Sequence, residues 1–319
     1  MISRVYTYLI CIFCSVITCQ SYAQSIGLNW LFRPGMRFSS SFVPKQNIQD
    51  TTYFGFSHFN TSLVIPVAGE VEASLSKLNL KANQTFITAN IGSRFLQTNL
   101  LAYQKLAHNF SFGVTHVQAD VRNGIWFYTF NIGAVESPET FDKIKPFFIG
   151  GAAKIVLKGL RTFNVYGVGL TYQYNQVIPI PLFGISRFLS KNIQVSMLLP
   201  TYAELIYVGK DNLDLALRAD FAVFRSGILP VSNQRPVGNE KTSLQYRDVR
   251  LGLLARYSPS SRAKLQIQAG VAGVRSLKIF YNNEQIRSYN PSFAPFINIA
   301  LHINFGNAPI NSQLFGNEF

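Results

Sequence analysis

Apolar and polar residues alternate one by one over long stretches of this chain, the period of a strand whose two faces meet different surroundings. The clearest stretch runs from Leu213 to Arg225. Leu213, Leu215, Leu217, Ala219, Phe221 and Val223 share one face, and Asp214, Ala216, Arg218, Asp220 and Ala222 share the other. The last strong segment repeats the pattern, with Phe293, Ile297, Ile299, Leu301, Ile303 and Phe305 opposing Asn298, Ala300, His302 and Asn304. Between them, Val249, Leu251, Leu253, Ala255 and Tyr257 oppose Asp248, Arg250, Gly252 and Arg256. Leu265, Ile267, Ala269 and Val271 likewise oppose Lys264, Gln266, Gln268 and Gly270. Weaker alternation predicts further strands near 36–43, 51–65, 71–80, 84–106, 109–120, 124–136, 145–157, 162–174, 182–188 and 192–208. Turn residues separate them at Arg122-Asn123-Gly124, Lys158-Gly159, Lys210-Asp211-Asn212 and Ser258-Pro259-Ser260-Ser261. No helical period persists over three turns.

Strand length narrows the architecture. Soluble strands are mostly about 5–6 residues long, whereas a tilted strand needs about 9–11 to cross a bilayer. Leu213–Arg225 and Phe293–Phe305 each hold the pattern for 13 residues. In hydrocarbon every backbone N–H and C=O must be paired, and without a helix only a closed barrel achieves that. The sequence therefore predicts an all-β fold, a transmembrane antiparallel up-and-down β-barrel. The strand number is even, about 12–16, with 12–14 the best count. The count turns on Pro200, which either separates two short strands or marks a bulge in one. Counting hairpins back from Phe305 as an inner strand end puts 281–291 and 226–245 outside and 258–262 and 209–212 inside. Long outer loops and short inner turns are the outer-membrane pattern.

The N-terminus carries an address. Arg4, the uncharged and mostly apolar Val5–Thr18, and the small residues of Ser21-Tyr22-Ala23 form a secretory signal peptide over 1–23. Cleavage before Gln24 leaves 24–319 as the barrel, with 226–245 a long external loop and 306–319 a short C-terminal tail. Cys11, Cys14 and Cys19 all fall in the signal, so no disulfide or thiolate chemistry is expected of the mature chain. Acylation at Cys19 is an alternative reading, with Thr18 a poor fit to the small residue such a site wants.

Composition then assigns the faces. Charged residues are only 14% and aromatics 14%, and the formal net charge is +14. Phe and Tyr near strand ends suit the aromatic girdles of a membrane barrel. An Arg or Lys at the lipid midplane costs roughly 2–4 kcal/mol, so Asp214, Arg218, Asp220, Asp248, Arg250, Arg256 and Lys264 are expected to line the lumen. They either border an aqueous pathway or pair off as a polar plug. The basic surplus suits lipid phosphates, anionic solutes or a neutral scatter. Nucleic-acid binding is not expected of an exported chain without a basic cluster. No cofactor, metal or P-loop motif is present, and the four histidines are dispersed. His116 with Asp120, or His302, is the only foothold for a barrel hydrolase.

The stretch from Pro181-Leu182-Phe183-Gly184-Ile185 through Ser196-Met197-Leu198-Leu199-Pro200 to Ala203-Glu204-Leu205-Ile206-Tyr207 resembles an outer-membrane barrel family of the Bacteroidota type, described only as a domain of unknown function. The resemblance implies a Gram-negative outer-membrane location, surrounded by lipid and lipopolysaccharide. It also implies insertion by the barrel-assembly machinery, whose terminal-strand signal is matched by Ile299, Leu301, Ile303 and Phe305. The chain continues to Phe319, which leaves open which aromatic closes that signal. The expected function is a passive channel or small-solute transporter. The alternative is a closed barrel with a structural, adhesive or secretion-partner role through its external loops.

Overall fold

The computed structural model describes residues 34–49, 52–74, 79–100, 106–120, 124–136, 146–159, 162–173, 176–209, 212–227, 242–260, 262–281 and 283–306. The signal segment 1–23, and the tail beyond 306, lie outside them. Fifteen strands follow one another: β1 (Gly35–Gln49), β2 (Thr52–Ser74), β3 (Asn79–Thr98), β4 (Leu106–Asp120), β5 (Gly124–Glu136), β6 (Pro146–Gly159), β7 (Thr162–Gln173), β8 (Gln176–Phe188), β9 (Ile193–Leu199), β10 (Tyr202–Val208), β11 (Leu213–Gly227), β12 (Thr242–Ser260), β13 (Ala263–Tyr281), β14 (Glu284–Tyr289) and β15 (Ala294–Asn304). From β1 to β14 each pairs antiparallel with the next in the chain, and β15 closes the ring by pairing with both β13 and β1. β14 pairs only with the last residues of β13, in line beyond β15, so the two share one position in the wall. The fold is a closed antiparallel barrel of 14 strands, an even number inside the range the alternation predicts.

The alternation sets the two faces as expected. Leu213, Leu215, Leu217, Leu251, Leu253, Ile297, Ile299, Leu301 and Ile303 stand exposed on the outside, while Ala216, Arg218, Asp248, Arg250, Ala300 and His302 are buried inside. The outward apolar run Leu213–Phe221, at about 3.3 Å per residue and a tilt near 40°, rises about 23 Å, close to the apolar band of a membrane barrel. Aromatic rings pack in pairs along the outer wall, stacked at Trp126–Tyr128, tilted at Phe148–Tyr172 and edge-to-face at Phe59–Phe95 and Tyr166–Phe183.

Several boundaries differ from the sequence reading. The stretch 71–80 is no separate strand: it holds the end of β2 and the start of β3, with 75–78 outside the described residues. Pro200 resolves as a turn between β9 and β10. β11 and β12 run further into the expected external loop, since Gly227 pairs with Ser243 and Ser226 with Leu244. Residues 228–241 fall outside the described ones. β13 carries a bulge at Val274, whose φ of 45° is a left-handed conformation rare for a β-branched residue. Before the bulge the even residues of β13 face inward, and after it Arg275, Leu277 and Ile279 do.

Candidate functional site

A round 14-stranded cylinder with strands 4.8 Å apart and tilted about 40° has a backbone diameter of about 28 Å. This barrel is not round throughout. β5 and β11, six positions apart in the ring, approach to within 8 Å between Cα atoms. The reason lies in the upper halves of β11 and β12, away from the chain termini. Ala222, Val223, Phe224 and Arg225 are all buried, and so are Ser243, Leu244, Gln245 and Tyr246. A strand buried on both faces lies inside a molecule, and wall strands that leave the wall for the lumen satisfy that condition. One face of this infolded hairpin packs on β2 and β3. Phe224 meets Phe56 at 5.4 Å between ring centroids, Tyr246 meets Phe54 at 5.0 Å, and the Arg94 guanidinium lies 3.9 Å over the Phe224 ring. Val43, Leu96, Leu277, Ile279 and Phe296 complete an apolar cluster across the lumen.

Below this cluster lies a polar layer. Glu204 is bonded by Arg218 and, at 2.5 Å, by Arg256, so one buried carboxylate serves two guanidiniums from β11 and β12. The Arg218 Nε also reaches Asp220, whose other oxygen accepts from Gln268 Nε2 at 2.7 Å. Asp248 accepts from Arg250 Nε at 3.1 Å and from the Tyr246 hydroxyl at 3.0 Å, and that hydroxyl accepts from Arg275 Nε at 2.8 Å. Arg250 Nη1 donates to Ser41 Oγ on β1 at 3.0 Å, and its guanidinium sits between the rings of Phe56 and Phe296. Among the described residues the buried Nη2 atoms of Arg250 and Arg275 meet no hydrogen-bond partner.

Of the charged residues singled out in the sequence, Arg218, Asp220, Asp248, Arg250 and Arg256 join this network. Asp214 stands opposite Arg256 in the β11–β12 ladder, and Lys264 opposite His302 in the β13–β15 ladder. Ile299, Leu301 and Ile303 lie on the outward face of the closing strand. Phe305, one residue past it, donates its amide to the Pro34 carbonyl at 2.9 Å. His116 faces outward, its Nδ1 2.9 Å from Thr85 Oγ1 and its ring against Tyr128, whereas His302 faces the lumen. The two histidines stand on opposite faces of the wall and form no common site.

The sequence reading did not assign Glu204, Arg275, Tyr246 or Arg37 to the lumen. Glu204 had a signal, a lone carboxylate in the otherwise uncharged strand Tyr202–Val208. Arg275 had none, because without the bulge at Val274 alternation places it outside.

No family model and no curated protein matches the sequence. Among solved structures the chain is similar to the transport unit of the autotransporter AIDA-I from Escherichia coli, at 10% identity and a TM-score of 0.32 over 92% of this chain and 97% of that one. It is also similar to the beta domain of the Bordetella autotransporter Brka, at 7% identity and 0.31 over 85% and 100%. A third is a mutant Rh. blastica porin, at 7% and 0.28 over 86% and 99%. These three are outer-membrane β-barrels.

Proposed function

We propose that this protein is an outer-membrane β-barrel that passes small anionic solutes through a gated lumen. The closed ring, the outward apolar band and the aromatic rings along the outer wall support the location. One observation carries the anion preference. Among the described residues, Arg37, Arg94, Arg218, Arg250, Arg256, Arg275 and Lys264 face inward against four carboxylates, Glu204, Asp214, Asp220 and Asp248. Buried charge is costly unless it is paired, and carboxylates that are already shared leave a positive balance that a passing anion offsets. The infolded β11–β12 hairpin makes this a gated path rather than a standing pore.

The test is conductance of the purified chain in planar bilayers under a KCl gradient. Infrequent openings with a reversal potential on the chloride side are expected, and Arg250→Gln with Arg275→Gln should shift that potential toward zero. Cation preference would overturn the anion reading. Complete electrical silence would favour the second reading, a sealed barrel acting through its external loops, which the cross-lumen packing of Phe54, Phe56, Phe224 and Tyr246 also supports.

A further inference from the structure

β9 and β10 have seven residues each, about half the length of their neighbours. Their turn at Pro200-Thr201 stops level with Phe183 on β8 and Phe221 on β11. Beyond that level, Gln176–Leu182 of β8 pair in the sheet only with β7, and Phe221–Gly227 of β11 only with β12. The wall there lacks two strands. Were β11 upright, the opening would span three strand spacings, about 14 Å.

Both borders have the character of edges. The Phe221 amide donates to the Thr201 carbonyl at 3.1 Å. Backbone groups on an antiparallel strand repeat their direction every second residue, so those of Val223 point into the gap as well. On the other border, prolines stand at 179 and 181, and a sheet accepts proline where an edge is open. A gap of this kind cannot face hydrocarbon unless something covers the unpaired backbone. Here the infolded hairpin covers it from inside, with Val223 only 2% exposed.

The chemistry around the gap is graded. Outside, Val177 is 65% exposed and lies with Pro179 and Pro181 beside the lipid-facing Val168 and Leu170 of β7. Inside stand Ile180, Leu182 and Val223. At the outer end Arg225 reaches across, donating from Nη1 to Gln176 Oε1 at 3.5 Å, from Nε to Ser243 Oγ at 2.9 Å and from Nη2 to Asn283 Oδ1 at 3.0 Å. A molecule using this gap arrives from the bilayer, passes apolar walls and meets a guanidinium above a cationic lumen.

We propose that the gap between β8 and β11 is a lateral doorway, latched here by the infolded hairpin, which admits a long-chain carboxylate from the surrounding outer leaflet. This adds a route through the wall to the axial path proposed above. The geometry offers a direct test, because Gln176 and Ser243 touch the same guanidinium from the two sides of the gap. No cysteine lies between residues 20 and 319, so a Gln176→Cys/Ser243→Cys pair takes a short cleavable bis-maleimide without competition. The full-length processed chain in detergent, checked for heat-modifiable migration, is titrated with tritiated oleate. Saturable binding is expected, falling at least tenfold once the linker ties the hairpin to β8 and returning when the linker is cleaved. Ile180→Trp, which fills the gap without a linker, should cause the same loss. Arg225→Gln should weaken oleate at least fivefold and leave oleyl alcohol unaffected.

Oleate binding unaffected by the linker and by Ile180→Trp overturns the doorway, as does absence of oleate binding in the native chain. Capture of a diacyl phosphatidylglycerol in place of oleate overturns the carboxylate. An anion-side reversal potential in a barrel that ignores oleate would reject the doorway and leave the axial path standing.

Discussion

Glu204 shows how much one side chain can govern in this lumen. It is 6% exposed and holds Arg218 and Arg256 together, so neutralising it leaves two guanidiniums sharing less charge in a buried setting. Breaking a buried pair from one side typically costs about 3–5 kcal/mol, because the stranded charge keeps its desolvation penalty. Glu204→Gln should therefore lower the urea midpoint of the folded barrel by a corresponding amount. Glu204→Gln with Arg256→Gln should recover part of the loss, since one stranded cation is gone. A midpoint unchanged in the single variant would mean that water already screens the pair. Residue-scale legibility followed the same chemistry. Arg218, Asp220, Asp248 and Arg250 could be placed inside from alternation because lipid penalises them outside. Arg275 could not, because its direction depends on the left-handed backbone of Val274, and nothing in the side-chain pattern announces a bulge there.

At the level of elements, the informative feature is the place where β11 and β12 cease to be wall. The alternation from Leu213 onward correctly gives a strand and its two faces, yet it breaks down at Phe221-Ala222-Val223-Phe224, four apolar residues in succession. Such a run suits a strand buried on both sides, and the infolding supplies that burial. An even ring of about 12–16 strands was legible because most strands must span the apolar thickness, and the short pair β9 and β10 is what kept the count from being fixed. The bend was not, because it depends on the shortness of the adjoining strands β10 and β9. If the infolded hairpin seals the lumen, its anchor should matter more than an equal ring on the outside. Phe224→Ala removes a side chain packed against Phe56, Tyr246 and Arg94, a loss of about 3–5 kcal/mol for a buried ring. Openings in bilayer recordings should become at least several-fold more frequent. Phe59→Ala, which removes a half-exposed ring from the outer wall, should leave opening frequency as it was. Equal frequencies in the two variants would show that the hairpin is not the seal.

Considered as a whole, the barrel has two unlike ends, and on the outer-membrane reading proposed above the difference predicts how it sits in the membrane. Pro34 and Gly306 lie at one end, with the connections at 75–78, 121–123, 160–161, 189–192 and 209–212, none longer than four residues. The other end carries the longer connections at 101–105, 137–145 and 228–241, together with β14, the infolded hairpin and the mouth of the gap. Membrane barrels keep short turns on the periplasmic side and long loops outside. On that reading the gap opens toward the outer leaflet, and Arg225, at its outer end, stands at the level where an anionic headgroup would lie. Single cysteines read this orientation on intact cells. Ser288→Cys, exposed on β14, should react with a membrane-impermeant maleimide, whereas Lys191→Cys, exposed in the turn between β8 and β9, should react only after the outer membrane is permeabilised. The reverse result would turn the gap toward the inner leaflet, and a ligand arriving from outside the cell would then have no lateral way in.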